Sequence, residues 1–302
     1  MTVNVKILGF CGSIRHGNTE IMVKRALEGA ASLPGVETMF LSLADLELKW
    51  GCNASYACWY KPRIIAPCRC YSNKGDDCDM ILESMMLCDG MLIGAPSYWG
   101  GVPAQTKNLF DRSMAIEMGF HLRNKVGGGL TIAAERHGGH EGTVDEIHRW
   151  MFIHDMIVVG VGPERPKTSI GGHIGAMAVQ GFPFPTHSDE PGDDKAVLQD
   201  DVGLNASFSI GKRVAETAKM VKLALMQLGD EEFGWKKGPL GSEVFDRSEA
   251  IGALGIPVAE MARPRYMGLS LLAYRLSLSA GDMRYAIRDR PYAICDERYA
   301  KE

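Results

Sequence analysis

Apolar positions along this chain change their spacing repeatedly, and each change marks an element. Val3, Val5, Ile7 and Leu8 predict a buried first strand, whereas Met22, Val23, Ala26, Leu27 and Ala30 recur at the spacing of one helix face. A second strand is expected over 36–43 and a short helix over 79–87. Residues 90–95 run apolar without interruption, as in a parallel strand covered on both faces. Pro103 sits where the first turn of a helix loses nothing by lacking an N–H. Residues 130–134 predict a fourth central strand and 156–161 a fifth. A polar, proline-bearing excursion from 163 to about 201 then leads to a closing helix marked by Ile210, Val214, Ala218, Val221 and Leu225. Alternation of this kind specifies a doubly wound α/β sheet.

Two segments break the alternation. Between 44 and 78 the periodicity gives way to cysteines, prolines and aromatics, which reads as an insertion. The stretch 229–302 holds Tyr266, Tyr274, Tyr285, Tyr292 and Tyr299 among many arginines, a composition enriched where proteins touch proteins. The expected organisation is therefore a domain over 1–228, carrying the insertion, and an extension over 229–302 that clamps onto a second subunit or onto its parent domain. A homo-oligomer, dimer or tetramer, follows from that reading.

Three polar, glycine-bearing loops follow the first, third and fourth strands, so all three should meet at the carboxyl edge of the sheet, where open α/β folds bind ligands. The first is Gly9 to Thr19. A tight strand-to-helix turn leaves backbone N–H groups at the helix start without intrahelical partners, which suits an anion. Ser13, Asn18 and Thr19 add short donors around Gly17, and Arg15 adds a planar cationic fork. The loop is neither a Walker A motif nor a GxGxxG fingerprint. An ordinary polar turn capped by Asn18 or Thr19 is the alternative that these residues leave open. The second loop, Pro96-Ser97-Tyr98-Trp99-Gly100, offers an aromatic pair beside glycines, although Tyr98 and Trp99 also suit plain core or surface positions. The third, Glu135-Arg136-His137-Gly138 and onward to Thr143, offers bare backbone, with His137 and His140 as candidates for steering substrate or protons. Together the loops suit a flat ring with a phosphate tail. No nucleophile and base pair is positioned by the sequence to compete with redox chemistry.

Gly12-Ser13-Ile14-Arg15-His16-Gly17-Asn18-Thr19, and Gly94-Ala95-Pro96-Ser97-Tyr98-Trp99-Gly100 with Gln105, Lys107, Phe110, Asp111 and Arg112 beyond, resemble the NAD(P)H-dependent FMN reductases and iron–sulfur flavoproteins of the flavodoxin-like superfamily. The resemblance covers about residues 1 to 228. It implies a flavodoxin-like five-stranded parallel sheet in the order 2-1-3-4-5 with bound FMN. It places the phosphate on Ser13, Arg15, Asn18 and Thr19, and the isoalloxazine ring against Pro96, Ser97, Tyr98, Trp99 and Gly100. The third loop resembles the family's glycine-rich ring-contacting loop, with His137 and His140 interrupting the usual glycines. Electrons would come from NAD(P)H or a protein donor and pass to a small-molecule or protein acceptor; the alternatives are an electron carrier without a substrate of its own and a flavin-binding regulatory protein that turns nothing over.

Eight cysteines are present, and Cys52, Cys58, Cys68, Cys70 and Cys78 crowd into 27 positions. Thiolates within reach of one another suit a 4Fe-4S cluster or a zinc ion, each of which takes four sulfur ligands, and free thiols are the remaining alternative. Iron–sulfur flavoproteins carry a cysteine motif at this place, but here the intervening counts are 5, 9, 1 and 7, and five residues compete for four positions. Cys11, Cys88 and Cys295 read as small buried hydrophobes or ordinary thiols. A net charge of −4 gives no electrostatic footprint for nucleic acid or a membrane surface. No apolar run approaches the roughly 20 residues of a membrane span. A cytoplasmic protein is expected.

Overall fold

A computed structural model describes residues 3–49, 51–54, 58, 70, 75–117, 120–161, 172–180 and 195–228. All of them fall within one compact unit, Met1–Ala250. Strand β1 (Val5–Cys11) leads into helix α1 (Asn18–Ala31), then β2 (Val36–Ser42), α2 (Cys78–Leu87) and β3 (Gly90–Pro96). Helix α3 (Ala104–Arg112) and the single turn α4 (Met114–Glu117) precede β4 (Val126–Ala133) and α5 (His140–Ile153). Short strands β5 (Ile157–Val158) and β6 (Ala176–Val179) lead to the closing helix α6 (Asp201–Gln227).

The sheet is parallel throughout and runs β2-β1-β3-β4-β5, with β6 also paired to β4. Side-chain alternation divides the core into two layers. Leu8 and Phe10 of β1, with Met91 and Ile93 of β3, pack under Ile81, Met85, Leu109, Ile147 and Trp150 of α2, α3 and α5. Val5, Ile7 and Leu92 face the other way, toward Met22 and Ala26 of α1 and Ile210 and Val214 of α6. Both faces of the central strands are covered, which is why those strands read as apolar runs rather than alternations. On the second face α1 and α6 cross with their backbones in contact. A Cβ at Gly29 would lie 2.0 Å from the Phe208 carbonyl oxygen, and one at Gly211 would lie 1.7 Å from that of Ala26.

The fifth position of the sheet differs from the sequence reading. The expected strand over 156–161 shrinks to Ile157–Val158, which pairs with Val126 and Gly127. Beyond it β6 takes over the same edge of β4, pairing Ala176–Val179 with Leu130–Ala133. The strand is thus split. Its second half lies inside the stretch read as a polar excursion, because four residues of Ala-Met-Ala-Val carry too little periodicity to register as a strand. The extension 229–302 and much of the cysteine insertion lie outside the described residues.

Candidate functional site

The carboxyl ends of β1 and β3 form the point where the chain winds away in opposite directions, and a cleft opens there. Ser13, Arg15, Gly17, Asn18 and Thr19 line one end, and Pro96, Ser97, Tyr98, Ile132, Ala133, Ala134 and Gln180 line the other. The first two of the three loops therefore converge as expected, joined by the end of β4.

The first loop is built from backbone hydrogen bonds. Gly12 N–H donates to the Gly94 carbonyl (2.7 Å), and the buried Thr106 hydroxyl of α3 donates to the Gly12 carbonyl (2.9 Å). Glycine is required at 12 because a Cβ would meet Thr106 Oγ1 at 2.2 Å. The Ser13 hydroxyl donates to the Arg15 carbonyl (3.0 Å) and accepts the Arg15 N–H (3.1 Å), so it shapes the turn from within. Gly17 at the N-cap of α1 has no side chain with which to cap it, and the backbone bond there runs from Ile21 N–H to the Gly17 carbonyl (3.0 Å). An uncapped helix start facing a cleft is a seat for an anion. Asn18 has a second task, since its side-chain oxygen accepts the Val197 N–H (2.9 Å) and ties the segment before α6 to the loop. At the rim, His16 bonds Glu20 (2.8 Å), which raises its pKa from the usual imidazole value, and lies 3.4 Å from Asp45.

The second loop turns tightly at its tip. Tyr98 and Gly101 exchange backbone bonds (2.9 and 3.2 Å), and Trp99 and Gly100 both take positive φ, 53° and 80°, as in a two-residue type I′ turn. Trp99 is fully exposed at this tip and Tyr98 is exposed beside it. The third loop locks onto the second. Ser97 Oγ donates to the Gly138 carbonyl (2.6 Å), Glu146 accepts the Val102 N–H (2.9 Å), and a Cβ on left-handed Gly139 would sit 2.4 Å from Gly100 Cα. Glu135, Arg136 and His137 stand exposed beside the cleft rather than lining it.

His140, read as a loop residue, is buried at the first position of α5, and its Nε2 donates to the Ala178 carbonyl of β6 (2.8 Å). It holds the split strand. His148 and His154 are buried as packing residues. The Ser113 hydroxyl donates to the Phe110 carbonyl, so it accepts from both Trp150 Nε1 (2.9 Å) and His154 Nε2 (2.8 Å). Nδ1 of His154 is then a buried, unpaired acceptor, and burial pushes its pKa down to about 4. Gln180 and the Ile132–Ala134 corner carried no sequence signal; Gln180 reaches the cleft because its N–H extends the β6 pairing to the Ala133 carbonyl (2.9 Å).

The cysteines separate into groups. Cys70 and Cys78, the latter the first residue of α2, are buried in the same core layer, and Cys58 packs against it. The Cys78 thiol pKa is raised, first by its hydrogen bond to Cys70 and then by burial. Arg112 donates from Nε to Cys70 Sγ (3.2 Å) and pairs in a fork with Asp76 (2.5 and 2.9 Å). Cys52 is exposed, its sulfur accepting the Ala54 N–H (3.4 Å), and Cys68 lies outside the described residues. Among the described residues no three metal-binding side chains are grouped. Cys11 and Cys88 are buried thiols, each pushed up to about 11 by burial.

A sequence profile of NADPH-dependent FMN reductases matches residues 5–162. An iron-sulfur flavoprotein of Methanocaldococcus jannaschii is 41% identical over 221 residues, which cover 72% of this chain and all of that one. A second iron-sulfur flavoprotein, from Archaeoglobus fulgidus, is 28% identical over 72% of this chain and 98% of its own. Among solved structures, a flavone reductase superposes with a TM-score of 0.50 at 17% identity, covering 92% of this chain and 98% of that one, a likeness of fold alone. The sheet order, the cleft at its switch point and the length of these matches lead to one assignment: the chain belongs to the flavodoxin-like family of NADPH-dependent FMN reductases and iron–sulfur flavoproteins.

Proposed function

We propose that this flavin oxidoreductase takes electrons from NAD(P)H or a protein donor and delivers them to a small acceptor or a one-electron protein partner. One observation carries the reading: the uncapped start of α1, the Arg15 fork and the Pro96–Tyr98 edge line a single cleft. That donor set fits FMN, with a terminal phosphate at the helix start and a flat ring along the second loop. When bound, FMN supplies the ability to accept a hydride pair and release single electrons. The chain's own share is positional. Thr106 fixes the phosphate loop from below, and the Ser97–Gly138 bond holds the second loop to the third.

A second reading, an electron carrier with no substrate of its own, is favoured by the buried Cys70–Cys78 pair. The match to an iron-sulfur flavoprotein, over all of that protein and 72% of this chain, supports it as well. A 4Fe-4S cluster takes four sulfur ligands, which on this reading come from among Cys52, Cys58, Cys68, Cys70 and Cys78. Protein purified without oxygen should show a flavin spectrum and contain about four irons and matching sulfide per chain. Steady-state oxidation of NADH and NADPH then separates the two readings: turnover supports the reductase, and a reducible flavin without turnover supports the carrier. Protein with no flavin, whose heat stability ignores added FMN, would sink both.

A further inference from the structure

Strand β6 is four residues long, yet two helices hold it in place. Its Ala178 carbonyl accepts from the buried His140 of α5 (2.8 Å), and its Val179 N–H donates to Asp200 (2.8 Å). The other oxygen of Asp200 caps α6 by accepting the Gly203 N–H (2.9 Å). Gly203 lets α6 start directly against the strand, since a Cβ there would lie 2.4 Å from that of Ala178. What the strand delivers to the cleft is Gln180, which alone among residues 172–180 lines it. Side chains alternate along a strand, and Ala176 and Ala178 face α1 and α6. Gln180 continues their row, because its N–H extends the ladder to the Ala133 carbonyl (2.9 Å). It therefore approaches the cleft from the face on which α1 begins, whereas Pro96, Ser97 and Tyr98 approach along the second loop.

Other polar groups along the cleft are already committed. The Ser97 hydroxyl is spent on the Gly138 carbonyl and the Asn18 oxygen on the Val197 N–H, while Ile132, Ala133 and Ala134 offer apolar side chains. The half-buried Gln180 carboxamide makes no hydrogen bond among the described residues. We propose that Gln180 binds the ribityl chain of FMN, the hydroxylated link between the phosphate at the start of α1 and the ring along the second loop. This rests on the FMN reading above. A carboxamide carries two donors and an acceptor, and so matches a run of hydroxyls that each donate and accept. On this assignment the ties to His140 and Asp200 serve the cofactor, because they fix the backbone from which Gln180 reaches it.

The test is fluorescence titration of the flavin-free full chain, wild type and Gln180→Met, with FMN and with FMN analogues that each lack one ribityl hydroxyl. Methionine keeps the length of the side chain and removes its donors. The variant should bind FMN roughly 3- to 10-fold more weakly, the loss of one hydrogen bond. That penalty should vanish for at least one analogue, the one missing the hydroxyl that Gln180 holds. An unchanged dissociation constant for FMN overturns the assignment. So does a penalty of equal size for FMN and every analogue, which moves the contact to the ring or the phosphate or makes it structural. Unfolding of the flavin-free variant marks a structural role and overturns it as well. Wild-type protein that binds no FMN defeats the FMN reading itself, whereas the other failures leave that reading standing.

Discussion

The crossing of α1 and α6 should tolerate no side chain at Gly211. A Cβ there would meet the Ala26 carbonyl oxygen at 1.7 Å and its carbon at 2.5 Å, both backbone atoms that cannot rotate away. Non-bonded heavy atoms rest at roughly 3.5 Å, so the helices would have to part by roughly 1.8 Å. Helix α1 cannot absorb the whole shift, because Met22, Val23 and Leu27 seat it on the sheet. Overpacking of this kind costs about 3 kcal/mol at the upper end of its usual range, and replacing a mid-helix glycine by alanine returns about 1 kcal/mol. Gly211→Ala should therefore destabilise by about 2 kcal/mol, and Gly29→Ala, whose Cβ would lie 2.0 Å from the Phe208 carbonyl oxygen, by a similar amount. Since both contacts lie on one crossing, a gap opened for the first substitution also accommodates the second. The double variant should cost clearly less than the sum of about 4 kcal/mol. Urea unfolding of flavin-free protein, compared at constant slope, measures all three. FMN affinity should fall in parallel, because the start of α1 moves with its body. A neutral or stabilised Gly211→Ala would refute the backbone contact, and strict additivity would show that the two sites relax separately.

Arg15→Ala should weaken FMN by the one or two charge-assisted contacts it loses, each worth about 1.5–3 kcal/mol and so at least roughly 10-fold, read by fluorescence titration of flavin-free protein. Thr106→Val keeps volume but leaves the buried Gly12 carbonyl without its hydroxyl donor; a stability loss of about 1–2 kcal/mol together with weaker FMN is expected, and an unchanged dissociation constant would detach Thr106 from the phosphate loop. His154 imposes a pH dependence whose sign follows from its depressed pKa of about 4 against 6.5 in the unfolded chain. Between those values only the unfolded state binds the proton, so stability should fall as pH drops through the window, by about 3 kcal/mol from this group alone. His154→Phe should flatten that slope in chemical unfolding measured at pH 4.5 and 6.5, whatever it does to stability at neutral pH.

How far the fold could be read from the chain depended on length and on coverage of both faces. Strand β3 and helix α1 were legible because an apolar run of six and a clean helical stripe each exceed what a loop produces. The split fifth strand was not, since its halves are two and four residues long and are defined by the free edge of β4 rather than by their own pattern. His140 was misplaced by one turn of reasoning: Gly139, in the left-handed region at φ 87°, ends the loop early and starts α5 at the histidine. The cysteines were legible as a density, but not as a geometry. What joins Cys70 to Arg112 and Arg112 to Asp76 spans 42 and 36 positions, and no local spacing encodes a contact of that range.

Helix α3 ties the first and second cleft loops to the cysteine segment. It is nine residues long and buries Thr106, Leu109, Phe110 and Arg112. Leu109 and Phe110 supply apolar area, with Phe110 stacked on Trp150 at 4.8 Å, but apolar contact alone would let so short a helix slide or rotate. The two polar side chains remove that freedom, because hydrogen bonds are directional where dispersion is not. Near its start Thr106 bonds the carbonyl of Gly12 in the phosphate loop, and at its end Arg112 bonds Cys70 and Asp76. The second cleft loop enters the helix directly at Pro103. Three segments far apart in the chain are thus referred to one rigid rod. A buried polar tie at each end of a short helix fixes the spacing of the segments it joins better than a larger apolar surface would, at the cost of requiring every buried N–H and hydroxyl to find its partner.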